Sequence, residues 1–225
     1  MGPPSSISEL LERAHALAGL SLGEVAAILG EKGPSSDRLR TKGHGGELIE
    51  RALGANAGNL DMPDFTELSV ELKTIPLDGR GKVKESTFVC SIDLERASEE
   101  EWETSRVWRK LCCVLWMPVQ SSAAGPLSTR RLGTPVLWRP DVAQQEQIRA
   151  DWLLLMGMIA IGKVEDISAH LGEVLQVRPK AKDSQVKVEV LMDGELLRVN
   201  PRGFYLRARF TEGLLWSLTE SASPP

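Results

Sequence analysis

The sequence predicts an α/β protein, and three observations carry that reading. Two capped, amphipathic segments open the chain as helices. From Leu68 to Lys73 apolar and polar residues alternate, the period of a strand with one buried face. Leu111 to Trp116 is too apolar on both faces to be anything but a central strand covered on each side.

Taken in order, Ser6-Ile-Ser-Glu9 has the form of a capping box, and Leu10, Leu11, Ala14, Leu17 and Ala18 follow at helical spacing until Gly19. Ser21-Leu-Gly-Glu24 repeats the device before Val25, Ala26, Ile28 and Leu29, so two short helices pack as a hairpin. Gly33 to Ser36 is a loop. Glu47 to Leu53 is a helix ending at Gly54, with Leu48, Ile49, Ala52 and Leu53 on its buried stripe and Glu50 at the border. Ser86 to Ile92 is rich in β-formers and joins the strand at 68–73 in a β-meander. Glu99 to Glu101 and Glu103 form an acidic, solvated run. Ser105 caps a short helix containing Trp108 and Lys110 ahead of the central strand. Pro135 to Trp138 is a further strand, stopped by Pro140. Asp141 caps the longest helix, to about Ile161, with Ile148, Trp152, Leu155, Met156 and Ile159 on its core face. Glu173 to Val177 is a strand that delivers Arg178, Pro179 and Lys180 at its end. Asp193-Gly194 is a hairpin signal. Asn200 to Gly203 then turns the chain into Phe204-Tyr205-Leu206. Thr211 caps a last short helix, and Ser221 to Pro225 is a disordered tail.

At 225 residues, 42% hydrophobic and 26% charged, the chain has the composition of a soluble globular protein with a real core. No apolar run is long enough to span a membrane, and no signal peptide is evident. Cys90, Cys112 and Cys113 have no Cys-x-x-Cys spacing, which suits a reduced, cytoplasmic protein without structural zinc, with Cys112 and Cys113 in the core. A net charge of −4 argues against coating nucleic acid through bulk charge. Its distribution is uneven: between Arg178 and Arg209 there are eight basic residues against four acidic ones. That segment is either a face for docking onto a polyanion or a solvated face that happens to be basic.

The stretch Asp64 to Pro76 (DFTELSVELKTIP) carries the chemistry. On a strand, Glu71 and Lys73 lie on one face roughly 6 to 7 Å apart, and a turn after Pro63 can bring Asp64 back against Glu71. Two carboxylates suit Mg²⁺, which usually takes one or two such ligands plus substrate phosphate. A lysine beside that ion can hold or deprotonate an attacking water, which fits phosphodiester hydrolysis. The plainer alternative is a weak surface ion pair between Glu71 and Lys73. Glu50, Lys42 in its Gly-rich loop and Lys110 read, on their own, either as cleft residues or as ordinary solvated side chains.

Five motifs, VELKTIP at 70–76, FVC at 88–90, WETS at 102–105, RPK at 178–180 and PRGFYL at 201–206, occur in the order and spacing of the MutH mismatch-repair endonucleases, which the chain resembles from about Leu10 to Leu215. The resemblance implies the type II restriction-endonuclease fold: a mixed β-sheet core flanked by helices, its two lobes forming a DNA-binding cleft. It implies one MutH-like domain, with a catalytic lobe over about 1–105 and a DNA-recognition lobe over about 106–220. It further implies Mg²⁺-dependent nicking of the unmethylated strand at hemimethylated GATC sites. Asp64 and Glu71 would bind Mg²⁺, Lys73 would position water, Glu50 would join the metal site, Lys110 would complete the catalytic set, and Lys42 would contact phosphate. Arg178, Pro179, Lys180, Arg202 and Tyr205 would face DNA, Arg178 reading guanine and Tyr205 the adenine edge. The implied partners are double-stranded DNA, MutL as activator and, functionally, MutS, with the chain acting as a monomer. The region 183–195 fits the family pattern poorly, and its hairpin signal has a helix and loop as the alternative. Two other readings stand beside this one: a GATC restriction enzyme cutting both strands, and a DNA-binding module without catalysis.

Overall fold

The computed structural model describes residues 2–31, 43–58, 61–120, 125–180, 187–192 and 195–221. Lys42, the Gly33 to Ser36 loop and residues 222–225 of the expected tail lie outside them. Two compact units interleave along the chain: Met1–Glu85, Cys112–Arg139 and Leu214–Pro225 form one, Ser86–Leu111 and Pro140–Gly213 the other. The sequential division near residue 105 differs from this, because the chain leaves the first unit at 85 and returns to it at 112. Among the described residues, no helix is long and apolar enough to cross a membrane.

In the first unit, α1 (Ile7–Leu17) starts at Ser6, whose hydroxyl accepts the Glu9 N–H. The box is half closed, since the Glu9 carboxylate accepts from the Ser5 N–H and hydroxyl instead. At α2 (Leu22–Ile28) Ser21 and Glu24 close it fully. Both helices pack on α3 (His44–Leu53), which starts three residues earlier than its apolar stripe indicates and stops at the left-handed Gly54. Leu10, Ala14, Val25, Leu48, Ile49 and Leu53 meet Val70, Leu72, Leu115 and Met117 in one apolar cluster.

The sheet beneath them is mixed. Strand β1 (Glu71–Leu77) pairs in parallel with β3 (Val114–Gln120), from Glu71 opposite Val114 to Leu77 opposite Gln120. Strands β4 (Arg131–Leu132) and β5 (Val136–Trp138) pair antiparallel with β3. As expected of a central strand, β3 is buried from Val114 through Val119. It begins at 114 rather than 111 because α4 (Arg106–Leu111), capped by the Ser105 hydroxyl, runs through Leu111. Cys113 is buried and Cys112 only partly so.

Two expectations about this region are corrected. Residues 66–70 are not strand: Thr66–Leu68 is a 3₁₀ turn, Ser69 is left-handed at φ 53°, and Val70 bridges back to Phe65. Nor is there a meander, since β2 (Thr87–Ser91), sitting in the second unit, pairs with β9 (Arg202–Leu206). A two-residue period specifies which face is buried but not which strand lies alongside.

The second unit carries the antiparallel sheet β2-β9-β6, with β6 at Leu175–Pro179. Helix α5 (Val142–Ala160) packs on β6, capped by Asp141 with Gln144 in a full box, its expected apolar stripe buried. Asp151 is buried on that same face. Its carboxylate accepts the N–H groups of Glu173, Val174 and Leu175 at 2.9, 2.7 and 2.8 Å. The strand predicted from 173 therefore starts two residues later. Gly172 makes the turn at φ 79°, where a Cβ would lie 1.9 Å from the Leu175 carbonyl oxygen. Strands β7 (Val188–Met192) and β8 (Glu195–Val199) form the hairpin that Asp193-Gly194 signals. Helix α6 (Ala208–Ser221) starts before Thr211, which is not its cap; the Thr211 hydroxyl donates to the Arg207 carbonyl inside the helix.

Candidate functional site

Strand β1 gathers the chemistry of the first unit. Phe65 and Val70 exchange backbone hydrogen bonds of 2.9 and 3.3 Å across the left-handed Ser69, which folds the chain back on itself. Asp64 thereby lies alongside β1, and its Oδ2 accepts the Leu72 N–H at 2.8 Å. Its carbonyl accepts from Asn56 and Ala57 and ties this loop to the segment after α3. Glu71 and Lys73 share the other face from Leu72, and Lys73 Nζ donates to Glu71 Oε1 at 2.5 Å. The two side chains are only 4% and 13% exposed, so the surface-pair alternative is removed. Desolvating such a pair costs free energy, and a fold that keeps one in its sheet points to use rather than to stability.

Glu50 enters from α3. A Cβ on Gly46, one turn before it, would stand 3.9 Å from Thr74 Oγ1 and 4.0 Å from Glu50 Oε1, so this turn of α3 faces β1. Burial pushes its carboxyl above the ordinary 4.5, the negative charges of Asp64, Glu47 and Glu71 push the same way, and Lys73 opposes them. Glu50, Asp64 and Glu71, with Glu47 beside them, thus share one electrostatic neighbourhood. They are not a closed cage: among the described residues, no three His, Cys, Asp or Glu side chains converge to hold a metal ion by themselves. Two carboxylates with a third in their field still fit a hard cation that keeps waters and takes its other ligands from phosphate. Lys110 sits near the C-terminal end of α4 in the second unit, partly exposed.

A second cluster lies on one face of the β2-β9-β6 sheet. Arg178, Pro179 and Lys180 are exposed at the end of β6. The Arg178 guanidinium carbon is 5.7 Å from the Tyr205 ring centroid, and Tyr205 meets Phe88 edge-on at 5.3 Å. Lys180 Nζ lies 5.2 Å from the Phe88 centroid and donates to Ser91 Oγ at 2.6 Å. Partial burial raises the Tyr205 hydroxyl pKa, opposed by Arg178, so the phenol stays neutral near pH 7. Gly203 sits beneath: a Cβ there would come within 2.9 Å of Phe88 Cε2 and 3.0 Å of the Cys90 carbonyl oxygen.

Arg202 is turned inward, 7% exposed, with a guanidinium nitrogen 2.8 Å from Glu165 Oε2. Arg207 donates to the carbonyls of Ala169, Leu171 and Gly172, and Arg209 pairs with Glu173. Part of the basic surplus over 178–209 is therefore structural. Sequence reasoning missed Phe88, Ser91 and Gly203 as neighbours of Arg178; the FVC and PRGFYL motifs were the available signal, but only pairing across β9 joins them.

A strand that carries Glu71 and Lys73, with the Asp64 carboxylate held alongside it, has the parts of a phosphodiester hydrolase, and the class is endodeoxyribonuclease. A family profile described as "DNA mismatch repair enzyme MutH" matches residues 53–151. The chain is 48% identical over 214 residues to the DNA mismatch repair protein MutH of Shewanella sp. (strain ANA-3), covering 95% of this chain and 96% of that protein. To the protein of the same name from Klebsiella pneumoniae (strain 342) it is 49% identical, over 95% of this chain and 92% of the other. The chain belongs to the MutH family of DNA mismatch repair enzymes.

Proposed function

We propose that this chain is a Mg²⁺-dependent endonuclease that nicks the unmethylated strand of hemimethylated GATC sites in methyl-directed mismatch repair. The observation that carries the reading is Lys73 held on Glu71 at 2.5 Å beside Asp64 on the Leu72 N–H. Asp64 and Glu71 would hold Mg²⁺, with Glu50 in their field. Bound there, the ion would acidify water and offset charge on the scissile phosphate. Lys73 orients the attacking water and shields the growing negative charge. Glu50 would join the metal site, the cation offsetting the burial and like-charge crowding that push its carboxyl up. Lys110 completes the catalytic set, and Lys42 contacts phosphate.

Arg178 pairs with guanine O6 and N7, the commonest specific contact to that base. The neutral Tyr205 hydroxyl lies against the adenine edge, where an N6-methyl group displaces it; Pro179 and Lys180 belong to the same recognition segment, and Arg202 supports it from within through its pair with Glu165. Double-stranded DNA is the substrate, MutL the activator and MutS the upstream mismatch sensor, and the chain acts as a cytoplasmic monomer. Gel assays on unmethylated, hemimethylated and fully methylated GATC duplexes, with Mg²⁺ and MutL, test this. Nicks confined to the unmethylated strand are expected. Linear product from both strands would replace the reading with a restriction enzyme, and no cleavage of any substrate would remove it.

A further inference from the structure

Strand β3 lays a tryptophan directly beside Lys73. In the parallel ladder Lys73 stands opposite Trp116, and Glu71 opposite Val114. Facing residues on neighbouring strands lie about 4.8 Å apart and point to the same side of the sheet. The alternation agrees: Leu72, Cys113, Leu115, Met117 and Val119 belong to the apolar cluster with α1 to α3, whereas Glu71, Lys73, Val114 and Trp116 do not. Among the described residues β3 is the only strand that pairs with β1, so Trp116 is the strand neighbour that Lys73 has on its face. On the edge of β3 away from β1, Trp138 stands opposite Val114 and meets the Trp116 ring at 6.0 Å and 44°. Trp116 is fully buried, and its indole N–H has no hydrogen-bond partner, a cost that phenylalanine would not carry. Local rules broken in this way gather at sites of use.

We propose that Trp116 is a positioning residue for strand cleavage, its indole flanking the Lys73 stem and confining the ammonium to Glu71. A lysine as covered as Lys73, 13% exposed, lays its methylene stem along apolar surface while its charged end keeps a polar partner. Trp116 is the apolar surface alongside, and Glu71 is the partner. The assignment rests on the water-orienting role given to Lys73 above, since an ammonium that swings away from Glu71 no longer orients the water. Trp138 packs on Trp116 but is one strand further from Lys73, so it supports the fold without that role.

The test is acetylation of the full-length protein by acetic anhydride, with the rate at Lys73 read by peptide mass spectrometry against exposed Lys82 in the same molecule. Trp116→Phe and Trp116→Leu are expected to raise the Lys73 rate about fivefold or more, and Trp138→Phe to leave it at the wild-type value. Should one Trp116 variant fail to fold, the other carries the comparison. In nicking assays Trp116→Phe should lower kcat about tenfold with KM unchanged, the mark of a displaced group rather than of lost binding. Wild-type labelling of Lys73 in the folded Trp116 variants would overturn the proposal, and so would an unchanged kcat. Equal exposure of Lys73 in Trp138→Phe would also overturn it, marking both tryptophans as packing alone. Labelling needs neither DNA nor metal, so its failure is distinct from that of the nuclease reading, which would show as a wild type that cuts no GATC duplex.

Discussion

Lys73 is the residue on which cleavage and binding separate. It pairs with Glu71 in the first unit, while the Arg178 cluster belongs to the second. Lys73→Ala is expected to lower nicking by about 100-fold or more while DNA affinity changes little, read from nicking rates beside gel-shift titrations. Glu50 gives a second prediction, with a definite sign. A carboxyl whose folded pKa stands above its unfolded value favours folding most in acid, and that contribution is lost as pH rises through the folded pKa. Glu50→Gln removes the ionisation, so without divalent metal the variant should melt above wild type at neutral pH. The gap should close as pH falls toward 4.5, the ordinary glutamate value. Wild type melting higher at neutral pH would contradict the burial and crowding assigned to Glu50.

At the scale of elements, β6 and α5 are joined by one side chain. Asp151 accepts three backbone N–H groups where the chain enters β6, two of them in buried bonds to Val174 and Leu175. Asp151→Ala is expected to cost about 3 kcal/mol in chemical denaturation, the range for losing charged hydrogen bonds and orphaning buried donors. Gly203 plays the matching part on β9. Gly203→Ala drives a methyl against Phe88 and the Cys90 carbonyl, and should destabilise by about 1–3 kcal/mol. Because Phe88 must move, Tyr205 and Lys180 lose their neighbour as well. The loss should therefore appear in GATC discrimination of the folded fraction, not only in its melting.

For the whole molecule, charge and metal set the expected behaviour. With a net charge of −4, affinity for DNA has to come from local cations, and binding should fall steeply with salt. Lys180→Ala should lower the slope of log affinity against log salt by about 1 if that ammonium reaches a phosphate. Mg²⁺ should raise the melting temperature, by about 2.7 kcal/mol of stability at a hundredfold excess over its dissociation constant. Asp64→Asn should abolish most of that increment.

Hydrophobic period, caps and turn residues determined most elements in the sequence alone: α2, α5, a buried strand through Trp116, though not its ends, and the 188–199 hairpin follow from forces acting within a few residues. The β1 motif likewise put Glu71 and Lys73 on one strand face, because a two-residue spacing on a strand leaves little choice of geometry. Tertiary structure decided what no local pattern encodes. It paired β2 with β9 instead of β1, started β6 where Asp151 takes up the preceding N–H groups, and turned Arg202 inward to Glu165 while leaving Arg178 outside. It also made the Glu71–Lys73 pair a buried one. Which strand lies alongside, and how much water is left around a charge, depend on segments far away in the chain, and those distant contacts are what only folding supplies.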